Sequence, residues 1–553
     1  MSPYFRRAPA EDILLPTPPG ARERRMYVDR HMWVLISVSI VSFGCITWSQ
    51  IKFSISHPVL LLFLPLTAFT TMYYLLSLLV NIGPRDFDYA GHLDLVDRKK
   101  WLRWLETNQK PIPSIDVFLP ICGEDFALIA NTWRHVRALD YPGKLTVYVL
   151  NDGPEGPEER RLRALARSLG FEYFQRPIEG NTLNTRGTYK KAGNLQFGFH
   201  RSDGDFILIF DADFVPSSLM LLNLVPYFEL NQRLGIIQSP QYFRTRSKHM
   251  NWLERGAGSV QEWFYRISQT SRNHWNAAIC VGTCAMYRRK ALAENGGPTL
   301  IGHSEDVHTG FDLRILGWEL LYIPVALSTG VCPSVRSSFL AQQYRWCMGS
   351  MSLLTSRKFW DFKMPLRARA GYLSGFCYYL HTAALTFVAP AIPLTLLAFF
   401  PEMIKLQNYA LIVPSLVYTL GVLPLWHRTR YGLPALAVKM IYGWAHVFAL
   451  ADLVRGTQKG WQATGNTGST RGMLDKHFFK GTIGWGCTTA AAWVGLAIWR
   501  AAMAPGTAWV HFMPILVSGV FYAIIVAKTL SKTKPTHLPE LDDLPIMESR
   551  SER

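Results

Sequence analysis

The sequence has no CxxC motif among its eight cysteines, and this absence excludes the common cysteine-based frameworks. A structural zinc site or a disulfide-stapled domain needs closely spaced thiols. We therefore expect free, buried thiols. The chain also has no repeat at a fixed period, which excludes solenoids and propellers.

Acidic residues are scarce relative to basic ones: 40 Asp and Glu stand against 58 Lys and Arg, a formal net charge of +18. Such an excess fits nucleic acid, an anionic membrane face or an anionic substrate. The membrane is favoured, and no nucleic acid is expected, because long windows lack Asp, Glu, Lys and Arg altogether. Runs of about 18 or more such residues are transmembrane candidates. The windows are Met32–Gln50, Pro58–Val80, Gly371–Phe400, Asn408–Trp426, Gly481–Trp499 and Pro505–Ala527.

No cleavable signal peptide is expected, because the first window starts late and lacks a small-residue cleavage site. Arginines concentrated before that window predict a cytoplasmic N-terminus, and six spans place the C-terminus there too. The predicted organisation is a cytoplasmic tail (1–30), two transmembrane helices (31–82), a cytoplasmic domain (83–335), an interface helix region (336–370), two transmembrane helices (371–427), an interface helix and polar loop (428–480), two transmembrane helices (481–528) and a cytoplasmic tail (529–553).

The polar middle alternates short apolar strands with helical segments, a pattern typical of an α/β domain with a mostly parallel sheet. Strands are predicted at 115–120, 145–150, 171–174 and 206–210, with later strands near 235–238 and 281–287 that need not be parallel. Helices are predicted at 126–139, 155–169 and 190–200. Stretches rich in Trp and charge predict amphipathic helices at the membrane interface at 251–276, 338–360 and 434–458.

The stretch Phe206–Asp213, FILIFDAD, carries the first chemical signal. Asp211 and Asp213 share one side of an extended chain, and two neighbouring carboxylates repel unless a cation lies between them. Hard ions such as Mg²⁺ or Mn²⁺ take oxygen ligands and often accompany a diphosphate. Asp152 ends another predicted strand, so it should lie at the same sheet edge. The alternatives are a solvated strand end for the pair and a turn residue for Asp152.

Three further motifs could complete a site. Lys191 in KKAGN could meet a diphosphate beside helix N-terminal amides, or be an ordinary helix-start lysine. Asp306 in HSED could be a general base, or complement the helix dipole with Ser304 as N-cap. Gln342, Arg345 and Trp346 in QQYRW could form a sugar platform, or anchor an interfacial helix.

In this order and spacing, NDG, DAD, SED and QQYRW resemble the D, DxD, TED and QxxRW motifs of processive family-2 glycosyltransferases, the family of bacterial cellulose synthases. KAGN (Lys191–Asn194) matches a further segment of that family. The resemblance covers roughly residues 30 to 530. It implies an α/β glycosyltransferase domain of the GT-A, Rossmann-like type between transmembrane α-helices, with amphipathic interface helices.

The resemblance also implies a role for each residue. Asp306 would be the catalytic base and Asp213 the metal ligand, with Mg²⁺ or Mn²⁺ as cofactor. The nucleotide would be held by Asp152, Lys191 and Asp211. The acceptor would be bound by Thr283 (in Gly282-Thr283-Cys284), Gln342, Arg345 and Trp346. WQATG would be a gating loop, with Trp461 and Thr464 as its residues.

The implied function is a multi-pass inner-membrane enzyme that transfers sugar from a UDP-sugar, most readily UDP-glucose, to a growing β-glycan with inversion and exports it. Its partners would be the UDP-sugar donor, the growing polysaccharide, membrane lipids and export or accessory subunits. A cellulose-like product is favoured; mixed-linkage, β-1,3-glucan, chitin or hyaluronan types and non-processive transfer to a lipid remain alternatives. A transporter is disfavoured because the windows lack charges.

Three departures from the family pattern are visible. Ser304 replaces Thr, and only two windows precede the predicted catalytic domain. The residues after Ala527 are fewer than a PilZ barrel needs, so direct activation by cyclic di-GMP is not expected.

Overall fold

The structure is a computed structural model that describes residues 15–28, 32–82, 87–178, 185–457 and 472–533. Its strands are β1 Ile115–Ile121, β2 Leu145–Asn151, β3 Glu172–Gln175, β4 Phe206–Ile209, β5 Phe214–Pro216, β6 Leu234–Gln238, β7 Tyr242–Phe243, β8 Ala285–Arg288, β9 Glu319–Tyr322 and β10 Ser328–Gly330.

The α-helices are α1 Ala21–Arg24, α2 Trp33–Ile55, α3 Leu64–Asn81, α4 Tyr89–Leu95, α5 Arg98–Thr107, α6 Phe126–Arg137, α7 Pro157–Ser168, α8 Lys190–Phe199, α9 Met220–Leu230, α10 Trp252–Trp263, α11 Thr270–His274, α12 Arg289–Glu294, α13 Glu305–Ile315, α14 Arg336–Leu354, α15 Arg357–Asp361, α16 Leu366–Phe399, α17 Val413–Leu416, α18 Leu423–Trp426, α19 Leu433–Arg455, α20 Met473–Gly481, α21 Thr488–Met503 and α22 Met513–Leu530.

The domain is built on a seven-stranded sheet in the order β3-β2-β1-β4-β8-β6-β9. Its first half is parallel, because β1 pairs in parallel with both β2 and β4, and β2 with β3. In the second half β8 runs antiparallel to β4 and β6. The predicted α/β architecture and its first four strands are confirmed, and the sheet is mixed.

Two central strands form the middle of the core. Every residue of β1 and β4 is buried, as expected of strands covered by helices on both faces. Each fully buried aliphatic side chain stabilises the fold by roughly 1.5–3 kcal/mol. Helices start where local chemistry allows: the Asp125 carboxylate caps α6 by accepting the Ala127 N–H at 2.8 Å.

A small second sheet, in the order β5-β10-β7, adjoins the end of β4. Because β5 begins at Phe214, the chain passes from the large sheet to the small one through Asp211 and Asp213. Both ends of this crossing are therefore held by sheets, which fixes the direction of the two carboxylates.

In the part of the chain that the structure describes, five helical segments are long and apolar enough to cross a membrane by length and composition, which indicates a membrane protein. They are Trp33–Ile55, Pro58–Asn81, Leu366–Phe399, Leu433–Arg455 and Ala508–Leu530. Four of them overlap predicted windows. The window at 408–426 contains one shorter apolar helix, Val413–Trp426. The window at 481–499 begins with π-helical turns, Thr482–Cys487, that continue directly into α21.

The fifth segment, α19, coincides with the predicted interface helix at 434–458 and has the length of a span. It is 56% buried by protein, against 11–22% for the other four. Its neighbours are α10, α14 and α16. This helix therefore joins the catalytic-domain side of the molecule to the apolar helices.

Residues 15–28, from the predicted N-terminal tail, pack against the domain. Tyr27 is 1% exposed. Arg244 pairs with Glu23 at 2.7 Å and donates to the Thr17 carbonyl at 2.9 Å. Because Arg244 directly follows β7, this segment is tied to the small sheet that continues from Asp213.

Candidate active site

The backbone around Asp211 and Asp213 is held by two contacts. The Asp211 N–H donates to the Thr283 hydroxyl at 3.0 Å, and the Val331 N–H donates to the Asp213 carbonyl at 3.1 Å. Thr283 is fully buried. Its side chain therefore positions the backbone at Asp211, and its predicted contact with an acceptor stays a prediction.

Lys191 lies at the same sheet edge. Its ammonium group contacts the Asp211 carboxylate and is 3.7 Å from Glu305. Burial alone would lower the pKa of Lys191, but Asp211 and Glu305 outweigh that effect and raise it. Lys191 is therefore a permanent cation beside the acids. It stands in the first turn of α8, which has no side-chain cap, so backbone N–H groups add to the positive end of that helix.

Asp306 reaches this pocket from the first turn of α13. The turn containing Gly282 packs against it so closely that a Cβ at Gly282 would lie 2.8 Å from Asp306 Oδ2. Burial and the neighbouring Glu305 raise the pKa of Asp306 to about 7, while Lys191 opposes the shift and Asp211 adds to it. The mutual influence of Asp306, Lys191 and Asp211 places all three in one pocket.

Ser304 enters α13 in the left-handed conformation, with φ of 50°. Its hydroxyl does not cap the helix and instead donates to the Arg345 carbonyl at 3.3 Å. A Cβ at Gly349 would lie only 1.9 Å from the Ser304 hydroxyl oxygen. The start of α13 is therefore packed on α14, which rules out the N-cap interpretation of Ser304.

Gln342, Arg345 and Trp346 lie on one face of α14, because they are separated by three and four residues. All three are partly exposed, whereas the intervening Gln343 and Tyr344 are buried. Burial lowers the pKa of Arg345 to about 10, and Glu305, Asp211 and Asp213 oppose this shift. The guanidinium of Arg345 therefore faces the acid pocket.

Asp152 serves a different part of the site. Its carboxylate accepts from Arg176 at 2.9 Å and from the Gly187 N–H at 3.1 Å. Arg176 is fully buried and also donates to the carbonyls of Thr185 and Thr188. Asp152 therefore anchors the loop that leads into Lys191.

Residues 206–425 match the family model described as Glycosyl transferase family group 2. Over these residues the chain is similar to the family-2 glycosyltransferases. The matched range contains DAD, SED and QQYRW, so the recognition made from these motifs is confirmed.

Curated relatives of this glycosyltransferase domain are cellulose synthases. The UDP-forming cellulose synthase catalytic subunit of Xanthomonas axonopodis pv. citri (strain 306) is 30% identical over 249 residues, 44% of this chain and 32% of that protein. Cellulose synthase 1 of Komagataeibacter xylinus is 27% identical over 329 residues, 57% of this chain and 20% of that protein. The matched part thus spans about a third or less of these relatives.

Solved structures show a weaker likeness. A mannosyltransferase of Pyrobaculum calidifontis in complex with GDP-Man and Mn²⁺ has a TM-score of 0.45 and 17% identity, and covers 70% of this chain and 100% of its own. TarS 1–349 of S. aureus has a TM-score of 0.34 and 12% identity, and covers 65% of this chain and 98% of its own.

The carboxylates of the glycosyltransferase pocket suit a divalent cation. Burial, Asp211 and Glu124 together raise the pKa of Asp213 well above its usual range, so a cation there would relieve a real repulsion. Among the described residues no group of three or more His, Cys, Asp or Glu has metal-holding geometry. Mg²⁺ is commonly held by one or two carboxylates, with substrate phosphate and water completing its coordination.

Sequence reasoning missed Glu124 and Arg176. Glu124 follows β1, and burial raises its pKa, with Asp211 adding to the shift and Lys191 opposing it. The rule that selected Asp152 and Asp211, an acid just after a parallel strand, would also have selected Glu124. Arg176 had no such signal, because nothing local distinguishes it from the other arginines of the chain.

The far side of the pocket is formed by the apolar helix α16. α16 packs against α14, and Tyr379 of α16 lies within electrostatic reach of Asp306. The acid pocket and the long apolar helices are therefore adjacent. Trp461 and Thr464 of the predicted gating loop lie outside the described residues.

Proposed function

We propose that this protein is an inverting, UDP-sugar-dependent glycosyltransferase that extends a β-glycan processively and exports it across the inner membrane, with both termini cytoplasmic. UDP-glucose is the proposed donor and a cellulose-like glucan the proposed product. The printed names of the curated relatives support this donor and product class.

The observation that carries the proposal is the convergence of Asp306, Lys191, Arg345 and the Asp211–Asp213 pair in one partly exposed pocket. Transfer needs a base for the acceptor hydroxyl, charge compensation for the leaving diphosphate and tight positioning of both. Asp306 takes the hydroxyl proton. The acceptor oxygen then forms a bond to the anomeric carbon as the bond to UDP breaks on the opposite side, which inverts that carbon.

The leaving group receives positive charge from this chain's own residues. Lys191, the N-terminal amides of α8 and Arg345 face the acids from different elements. When bound, Mg²⁺ or Mn²⁺ held by Asp213 and Asp211 neutralises diphosphate charge. Asp152 holds the loop before Lys191 through Arg176 and the Gly187 N–H. We therefore expect Asp152 to influence nucleotide binding indirectly, by positioning that loop.

Processivity is supported by the position of the acceptor face. Gln342 and Trp346 are partly exposed on α14 beside Arg345, and the aromatic face of Trp346 offers stacking to a sugar ring without fixing one register. The packing of the apolar helix α16 against α14, which carries this face, supports a route from the pocket towards the apolar helices.

The test uses membranes that contain the full chain, incubated with each radiolabelled UDP-sugar and Mg²⁺ or Mn²⁺. We expect incorporation from UDP-glucose into long polymer that a β-1,4-glucan hydrolase digests. Sizing of the product separates a polymerase from an enzyme that adds one sugar per lipid. Absence of transfer from every UDP-sugar, or a product of one sugar per acceptor, contradicts the proposal.

A further inference from the structure

Arg272 of α11 occupies a groove on the apolar helix α16. The groove exists because Gly371 and Gly375, one turn apart, have no side chains. A Cβ at Gly375 would lie 2.7 Å from Arg272 Nη2, and one at Gly371 would lie 3.7 Å from Arg272 Cγ. The guanidinium is therefore held between the domain and the membrane helices.

This guanidinium is buried without an acid. Arg272 is 6% exposed, its Nε has no hydrogen-bond partner, and none of the described residues forms an ion pair with it. Other buried arginines differ: Arg176 pairs with Asp152, Arg266 with Glu262 and Arg336 with Asp475. An uncompensated buried cation is costly, and arginine cannot escape the cost by losing a proton.

The surroundings of Arg272 are aromatic and hydroxylated. Tyr379, Tyr372 and Tyr73 lie within electrostatic reach of it, and the ring of Phe264 is 6.0 Å away. Since Tyr379 is also within reach of Asp306, Arg272 lies on the side of the pocket that faces the apolar helices.

A second unsatisfied polar group flanks Tyr379. The ring of His446, from α19, is 4.8 Å from that of Tyr379. His446 is fully buried, its Nδ1 is 2.6 Å from the Thr382 hydroxyl, and its Nε2 has no partner among the described residues. Two unsatisfied nitrogen-bearing side chains from different helices thus lie around one tyrosine. Buried polar groups are rarely left unmatched, which points to a hydrogen-bonding ligand.

We propose that Arg272 binds hydroxyl groups of the acceptor glycan as it passes from the catalytic pocket towards the apolar helices. The ligand class is a neutral, polyhydroxylated chain, since such a chain supplies many acceptors without a formal charge that would trap it. Tyr379 offers it a stacking face, and His446 a further hydrogen bond. This inference rests on the proposed function and adds a residue outside the recognised motifs.

The test compares full-length wild type with Arg272→Gln and Gly375→Ala. Arg272→Gln should slow polymer synthesis roughly tenfold, the effect of one hydrogen bond to a charged group, and shorten the product. The dissociation constant for UDP with Mn²⁺ should stay within about twofold, because the donor pocket is untouched. Gly375→Ala keeps the charge but crowds the guanidinium, and should lower rate and length in the same direction.

Arg367→Gln is the matched control. Arg367 is an exposed cation near the same interface, over the Trp275 ring at 4.2 Å, and its loss should leave product length unchanged. Thermal unfolding provides the second readout: removal of an unpaired buried charge should not lower the unfolding temperature.

Three outcomes overturn the role of Arg272. One is wild-type rate and length in Arg272→Gln. Another is a lowered unfolding temperature together with weaker UDP binding, which would make Arg272 a structural residue. The third is a defect present in vesicles with anionic lipid but absent in phosphatidylcholine alone, which would assign the guanidinium to a headgroup. If the wild-type chain makes no polymer, the proposed function itself is wrong. This outcome differs from the three above, in which wild type makes polymer and only the role of Arg272 fails.

Discussion

Two carboxylates, the partly buried Asp306 of the catalytic pocket and the fully buried Glu262 of α10, show what desolvation does with few and with many donors. Both lie in a low-dielectric environment, yet their pKa values move in opposite directions. For Asp306, burial and Glu305 raise the pKa to about 7. For Glu262, burial also acts to raise the pKa, but nearby cations and hydrogen bonds overcome it and lower the value.

The difference lies in the number of donors. Glu262 accepts from Arg266 at 2.9 Å, from the backbone N–H groups of Arg428 and Thr429 at 3.0 Å, and from the Thr429 hydroxyl at 2.8 Å. For Asp306, a hydrogen bond from the Val307 N–H opposes the rise in pKa but does not overcome burial and Glu305. A carboxylate saturated with donors holds two elements together. A carboxylate with few donors has a raised pKa and can therefore accept a proton near neutral pH.

The largest expected effect comes from Asp306→Asn. An amide cannot accept the acceptor proton, so the turnover rate should fall roughly 10²–10⁴-fold. UDP binding should persist, and unfolding temperature should stay equal or rise, since the repulsion from Glu305 is lost. Steady-state kinetics measure the turnover rate, and calorimetry measures UDP binding and the unfolding temperature. Normal polymer yield would remove Asp306 from the mechanism; Asp203→Asn, an exposed carboxylate, is the control.

Glu262→Gln should lower the stability of the fold and leave the catalytic rate unchanged, the opposite of Asp306→Asn. It leaves Arg266 buried without its partner, which typically costs about 3–5 kcal/mol of stability, while the rate per folded molecule stays unchanged. Denaturant unfolding gives the first quantity and kinetics the second. The matched control is Glu155→Gln, which breaks an exposed pair with Arg186. An active-site defect at unaltered stability would refute the structural assignment of Glu262.

Asp213→Asn tests the cation. Substitution of a residue that only orients a metal ligand typically lowers metal affinity roughly 10–100-fold. Loss of a direct ligand should therefore weaken Mn²⁺ binding at least roughly 10–100-fold. Titration with Mn²⁺ in the presence of UDP measures it. If Mn²⁺ affinity is the same as in wild type, the cation lies elsewhere.

A pH series sharpens the contrast between the two carboxylates. The kcat/KM should fall about tenfold per pH unit below the raised pKa of Asp306. Glu262 has a lowered pKa, so its contribution to stability is fully present above its unfolded value of 4.5 and is lost as pH falls through the lower folded value. Between pH 5 and 8, activity should therefore change while the Glu262 contribution does not. A kcat/KM that does not change between pH 5 and 8 would contradict the role of Asp306 as the base.

The first half of the sheet was predictable because its signals are local. Apolar runs predicted β1 to β4, and parallel strands necessarily end at one edge, which is why Asp211 and Asp152 could be assigned to that edge. The antiparallel β8 was less predictable, since strand direction depends on the whole intervening chain.

Long-range pairings escaped prediction. Glu262 meets Thr429, 167 residues away, and no periodicity encodes such a contact. The hydrogen bond from the Asp211 N–H to the Thr283 hydroxyl, 72 residues away, was likewise not predicted. The window at 481–499 was predicted as a span from composition, and the π-helical turns at its start could not be predicted that way.

The sequence by itself determined the chemistry of this protein: which acids, cations and aromatic residues follow strands or begin helices, and where long apolar segments occur. Only the tertiary structure decided which of those groups have hydrogen-bond or ion-pair partners. Whether a buried charge has donors depends on side chains brought together from distant segments. That difference separates Glu262 from Asp306, and Arg176 from Arg272.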